Sequence, residues 1–529
     1  MWLIILISVL VSLAYFFGIK PYRHWKRKGI QYVKPLPLFG NIAPNMLQKQ
    51  SFSDLLQDLY YTYPNQRYVG LYQFTQPVLL VRDPDLIKQI TVKDFDVFPE
   101  RRQFASEDID LIWSKNLFAI RGGTKWHDMR STLSPSFTSS KMRMMFNLMK
   151  NCSKQFVKHW HKESGIVTLE MKDVFTRFAN DIIATTAFGV DCDSLANPNN
   201  EFYLMGKDVS DFSGIKSVKF FLSTLSPTLM KMLNVGIFTK KASTFFQSLI
   251  KQTLSIREKN GIVRPDMLHL LMEARKGRLA NDDSNASDSG YAVVEESKYV
   301  KGSFKSEKPQ ITDEDITAQA LVFFLGGFDS ASSLMCFATY ELAVHSDIQD
   351  KLRKEIDEVY ENANGNISYE GLLGMKYLDM VVTESLRKWP PVIAAERMSV
   401  KPFTIEPELP GEKSVTLDKG TNVWIPIYAF HRDPKYYPNP EKFDPERFSE
   451  ENRQNIQPFT YMPFGVGPRN CIGSRFALLE GKLVIAEIIR NFEIVPVEKT
   501  QVPMKLKKDQ FPPFPENGFW LGLKKRTHV

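Results

Sequence analysis

The residue of this chain best placed to do chemistry is a single thiol. Cys471 lies within Pro463-Phe464-Gly465-Val466-Gly467-Pro468-Arg469-Asn470-Cys471-Ile472-Gly473, where three glycines and two prolines surround it. Glycine permits positive φ and lets a flat ligand approach the backbone, and a thiol just before the helix-like Ser474-Arg475-Phe476-Ala477 has amides nearby to stabilise its thiolate. Such a sulfur suits haem iron, whose thiolate ligation favours cleavage of the oxygen–oxygen bond. A buried free cysteine is otherwise a small core hydrophobe, so the surroundings decide.

Three further stretches combine reactive types at short spacing. Glu384-Ser385-Leu386-Arg387 sets an acid and a guanidinium three apart on one helical face, where they can pair. Phe323-Phe324-Leu325-Gly326-Gly327-Phe328-Asp329-Ser330-Ala331 places two adjacent glycines in a helical stretch, each costing about 1 kcal/mol relative to alanine. Close passage over a flat group would justify them, with Asp329 and Ser330 positioned to relay protons; a packing kink is the other reading. Trp126 and Arg130, at i and i+4, could be a core and surface pair on one helix.

The cysteine loop resembles the haem-binding loop of the cytochrome P450 family, Phe-x-x-Gly-x-Arg-x-Cys-x-Gly, met by Phe464, Gly467, Arg469, Cys471 and Gly473. The other stretches resemble the same family's signatures, in the same order along the chain. Phe443-Asp444-Pro445-Glu446-Arg447-Phe448 is similar to the block that supplies an arginine, here Arg447, to Glu384 and Arg387, implying a buried ionic cluster. The resemblance implies haem b held by Cys471, its propionates met by Trp126, Arg130, Arg397 and Arg469, and Gly326 and Gly327 lining the oxygen pocket with Asp329 and Ser330. Pro463 belongs to the same cofactor loop. The chain departs from the usual pattern at Ser330, where threonine is commoner. Serine keeps the hydroxyl but is less restrained in rotamer, so greater loss of oxygen as peroxide is expected.

The fold the resemblance implies is mainly α with minor β, one large haem domain with a long central oxygen-binding helix, over residues 42–529. The residues themselves support this coarse reading. A helical stretch and short β-branched runs such as Pro77-Val78-Leu79-Leu80-Val81 indicate a small sheet between about Asp54 and Asp94, and amphipathic helices follow from about Lys125 to Leu271. Residues 276–308 read as a surface loop, and from Ile311 a long helix begins, with Thr312 as N-cap and Asp313, Glu314 and Asp315 in its first turn, running to about His345.

Ahead of this body, residues 1–19 are almost wholly apolar, and an eighteen-residue helix reaches about 27 Å, one bilayer span. Lys20, Arg23, Lys26, Arg27 and Lys28 follow it, which places the body in the cytosol, with the endoplasmic reticulum membrane as the expected home. Residues 20–41, basic and then proline-rich, read as a linker. The formal charge of +8 is spread along the chain, which does not favour a nucleic-acid partner, and only four cysteines occur, at spacings that fit no disulfide framework or zinc ribbon.

The function implied is a membrane-anchored monooxygenase for lipophilic compounds, with a resemblance to insect detoxification enzymes. No nucleotide fingerprint is present, so NADPH, FAD and FMN are expected only through a partner reductase, with cytochrome b5 as a possible second donor. Lys125, Lys141 and Arg143 are candidates for the reductase face. Position relative to the motifs puts Phe118, Phe212, Phe323, Phe324, Val392, Ala395, Phe511 and Phe514 in the substrate pocket, an apolar lining that suits burial of lipophilic substrates. Biosynthetic oxidation of a hormone or fatty acid, and a haem sensor without turnover, are the alternatives.

Overall fold

The computed structural model describes residues 20–102, 110–211, 236–277, 290–293, 311–510 and 512–527, with scattered positions before residue 20 and Met232. The expected anchor over residues 1–19 and the loop within 276–308 lie largely outside them, as do Phe212 and Phe511.

In chain order the principal elements are helix α1 (Phe52–Tyr61), strands β1 (Tyr68–Gln73) and β2 (Gln76–Val81), and helices α2 (Thr124–Leu133) and α3 (Ser139–Trp160). Strand β3 (Ile166–Glu170) leads into α4 (Met171–Ile183), then α5 (Glu201–Ser210), α6 (Lys240–Asn260), α7 (Met267–Arg275) and α8 (Asp313–Leu325). A widened π turn, Gly326–Ala331, joins α8 to α9 (Ser332–Val344), followed by α10 (Ser346–Asn362) and α11 (Lys376–Lys388). Strands β4 (Ala395–Met398), β5 (Phe403–Ile405), β6 (Val415–Leu417) and β7 (Asn422–Ile425) precede α12 (Ser474–Asn491), β8 (Phe492–Val495) and β9 (Trp520–Lys525).

Two cores organise these elements. The smaller lies on the sheet β1-β2-β7-β4, where β2 runs parallel to β7 and antiparallel to β1, and the Val, Leu and Tyr of β1 and β2 are buried almost without a break. The larger is helical. On α3, Met142, Met145, Phe146, Met149, Cys152 and Phe156 recur every three or four residues and are buried, the period that presents one face to a core. Helix α12 is buried almost all round and packs against α3, α9, α10 and α11.

The long α8–α9 helix is the element that spans the larger core. Thr312 accepts from Asp315 N at 3.2 Å while Asp315 accepts from Thr312 N at 3.0 Å, a reciprocal cap that fixes its start where the sequence puts it. It is apolar and long enough to cross a bilayer by composition, but it is mostly buried inside the protein.

Residues 20–41, expected as a linker, lie against the smaller core. Trp25 is fully buried, donates from Nε1 to Leu71 O at 2.8 Å, and covers Gly70 so closely that a Cβ there would fall 2.5 Å from its ring. Val33 N donates to Gly70 O and Asn41 N to Tyr72 O, so this stretch borders β1.

Candidate active site

The cysteine loop is held open by backbone geometry. Gly465 and Gly467 have φ of +71° and +73°, Gly465 N donates to Met462 O, Asn470 N to Gly467 O, and Cys471 N to Phe464 O at 2.9 Å. Left-handed residues at two places curl the chain, which therefore presents Cys471 at an exposed position just ahead of α12. Gly473 is the residue from which α12 starts.

Arginines from three segments converge on this loop. Arg130, from α2, donates to Asn470 O at 3.0 Å and Asn470 Oδ1 at 2.6 Å; Arg397, from β4, donates to Val466 O at 2.9 Å; Arg101 donates to Arg469 O at 2.9 Å. Arg469 donates to the carbonyls of Pro99, Leu117 and Ile120, and its guanidinium lies 4.3 Å from the Trp126 ring centroid. The expected cofactor arginine Arg469 therefore also ties the loop to the segment 99–120.

Burial, then repulsion by neighbouring arginines, pushes Arg397 and Arg469 down. Arg397 falls to about 9, with Arg101 repelling it, and Arg469 falls well below the usual range, repelled by Arg101, Arg397 and Arg130. Arg101, only partly exposed as a residue, drops to about 10, chiefly because its guanidinium is enclosed. Glu396 and Glu100 offset only part of the repulsion. Trp126 Nε1 and Arg397 Nε are buried with no hydrogen-bond partner. Enclosed donors and crowded cations beside a thiol fit a ligand with carboxylates at one edge and a metal for the sulfur, as haem has. Arg101 was not among the arginines expected at this loop, and only the structure brings it beside Arg469.

The two glycines of the long helix differ in their surroundings. A Cβ on Gly326 would meet nothing within 4 Å, whereas one on Gly327 would fall 2.4 Å from Ile183 Cδ1. So Gly326 leaves open space and Gly327 lets α4 approach. Ser330 Oγ donates to Gly326 O, and Asp329 Oδ1 pairs with Lys172 Nζ at 2.8 Å.

Of the expected pocket residues, Phe324 needs correction. It is fully buried among the rings of Phe188, Phe202, Phe246 and Phe328 and belongs to the core. Successive helical residues turn about 100°, so Phe323 and Phe324 cannot share a face, and Phe323 meets Phe137 instead, at 5.1 Å. Phe514 packs edge-on against Phe519, Val392 is exposed, Ala395 begins β4, and Phe118 lies half-exposed beneath the Arg101 guanidinium.

Behind the loop, Glu384 and Arg387 are both fully buried and joined at 2.6 and 2.8 Å, with Arg447 Nε at 3.5 Å from the same carboxylate. Arg387 also donates to His431 O at 2.7 Å. His431 Nδ1 donates to Arg387 O, and its Nε2 accepts from Met462 N at 2.9 Å, so a proton on Nε2 would oppose that N–H. Burial first, then Arg387, lowers its pKa to about 3.

A pH dependence follows. Between about pH 3 and pH 6.5 the unfolded chain holds a proton on this ring that the folded chain does not, so stability rises with pH across that window. Taking the protein from about pH 7 to about pH 5 should remove about 2 kcal/mol through His431 alone. Urea midpoints at the two pH values, compared with those of His431→Gln, check it: the variant should lose this part of the dependence.

With the geometry in view, the likeness to known proteins agrees. Residues 31–520 match the family model described as Cytochrome P450. The chain is 46% identical to cytochrome P450 9e2 of Blattella germanica, covering 99% of this chain and 97% of that protein. It is 43% identical to the probable cytochrome P450 9f2 of Drosophila melanogaster, over 99% of each, and 36% identical to cytochrome P450 6k1 of Blattella germanica, over 95% and 93%. The chain belongs to the cytochrome P450 family of haem monooxygenases, and to its insect branches.

Proposed function

We propose that this chain is a membrane-anchored monooxygenase of the endoplasmic reticulum, its domain on the cytosolic face, that oxidises lipophilic foreign compounds such as insecticides. Residues 1–19 are the anchor, residues 20–41 follow as the basic, proline-rich connection, and residues 42–529 are the catalytic domain. The observation that carries the site is the ring of Arg101, Arg130, Arg397 and Arg469, with the unpartnered Trp126 Nε1 and Arg397 Nε, around the loop of Cys471. Cys471 is the metal ligand, and these side chains hold the propionates of haem b. Bound haem supplies activation of molecular oxygen, with electrons from an NADPH flavoprotein reductase that carries FAD and FMN, and from cytochrome b5 as a second donor.

The chain's own part is positioning and proton control. Gly326 leaves room over the cofactor, Ser330 and Asp329 hold protons near that space, and the apolar residues around it exclude water and orient substrate by burial. Pro463, Phe464, Gly467 and Gly473 shape the cysteine loop. Incubation with the reductase, NADPH and a panel of lipophilic compounds tests the reading: oxidised xenobiotics are expected, and turnover of one hormone or fatty acid alone would replace it with a biosynthetic role.

Ser330 gives a sharper expectation. Its freer rotamer should allow more oxygen to leave as peroxide, so Ser330→Thr should lower the ratio of peroxide to product. An unchanged ratio would contradict the rotamer argument.

A further inference from the structure

Lys172 occupies a position that local physics disfavours. It lies in the first turn of α4, where the helix dipole repels a cation, and its side chain is largely enclosed, at 16% exposure. Four oxygens offset that cost. Its ammonium reaches Asp329 Oδ1 at 2.8 Å, Asp329 O at 3.1 Å, Ser332 Oγ at 2.9 Å and Ser333 Oγ at 2.8 Å.

These contacts are directional. Ser332 Oγ donates to Phe328 O at 2.8 Å and Ser333 Oγ to Asp329 O at 2.8 Å, so each hydroxyl accepts from Lys172 and passes its own proton to a carbonyl of the π turn. Those carbonyls belong to the segment where the helix widens and its ordinary ladder is interrupted. Lys172 thus holds both the backbone and the carboxylate of Asp329, while Ser330, the next residue, turns its hydroxyl back to Gly326 O.

We propose that Lys172 is a positioning residue for oxygen reduction: by clamping the π turn and aiming Asp329, it sets how dioxygen is partitioned between substrate oxidation and peroxide. This rests on the monooxygenase reading above. In the productive outcome O2, two electrons and two protons convert a substrate C–H bond to C–OH and release water. In the other, the same two electrons and two protons leave as hydrogen peroxide, with the substrate untouched. The electrons come from NADPH through the reductase in both.

The test uses the haem-loaded protein with reductase, NADPH and an alkoxycoumarin. Lys172→Met removes the charge at similar length and should lower the product-to-peroxide ratio several-fold, while amide hydrogen exchange across residues 326–333 rises. Lys172→Arg, whose planar fork cannot meet four convergent oxygens, should fall between. Should Lys172→Met fail to take up haem, the double variant Ser332→Ala/Ser333→Ala, which keeps the ammonium, decides by the same two readouts. An unchanged ratio and unchanged exchange in the haem-loaded variant would overturn the clamp. A wild type that yields neither product nor peroxide would instead overturn the monooxygenase reading on which it rests.

Discussion

Glu384→Ala should destabilise the protein by about 3–5 kcal/mol, because it strands a guanidinium that has no access to water. Arg387 keeps its charge against the opposing effect of burial chiefly through Glu384, which it meets with two nitrogens. The same carboxylate accepts from Asp444 N at 2.9 Å and faces Arg447, so its loss also loosens the Asp444–Arg447 segment that follows β7. Domain stabilities are about 5–15 kcal/mol, so this single change takes a large fraction. Urea denaturation measures it. Arg447→Ala should cost less, since that side chain lies at the partly exposed rim and leaves the inner pair intact. Equal costs for the two variants would contradict a hierarchy within the cluster.

Gly467→Ala should prevent the cysteine loop from forming and leave little haem-bound protein. A Cβ there would fall 2.0 Å from Thr91 O and 2.9 Å from Thr91 C, both backbone atoms of the turn that backs the loop. Backbone cannot rotate aside as a side chain can, so one of the two segments must move. The left-handed φ of +73° adds about 1–2 kcal/mol for any residue with a Cβ. Gly465→Ala is the control, because it has nearly the same φ but its nearest contact would be Asn470 Cα at 3.9 Å. It should pay the conformational cost alone and retain haem. Haem absorbance per folded protein in the two variants separates steric from conformational effects.

These two sites also show what the sequence made legible. The Glu384–Arg387 pair and the glycines around Cys471 lie within a few residues of one another, so spacing on a helix or in a turn was enough to expect their geometry. The Thr312 cap and the strand run Pro77–Val81 were legible for the same reason. Contacts between distant segments were not. Nothing near Lys172 in the chain points to Asp329, 157 residues away, and Arg101 gains its meaning only when β4 and α2 bring Arg397 and Arg130 beside it. Phe324 looked like a pocket residue from its position relative to the long-helix motif, but a helix turns adjacent side chains to different surroundings. Prolines at 35 and 37 suggested a stiff, extended connection, and burial of Trp25 on Gly70 brings that stretch to the sheet.

The central claim is that Cys471 ligates haem iron through its thiolate. The most direct measurement is the carbon monoxide difference spectrum of the dithionite-reduced protein, taken for the wild type and for Cys471→Ala. A strongly red-shifted Soret band in the wild type that disappears in the variant is the predicted result. A correctly folded wild type with no haem band, or a variant that keeps the shifted band, would contradict it.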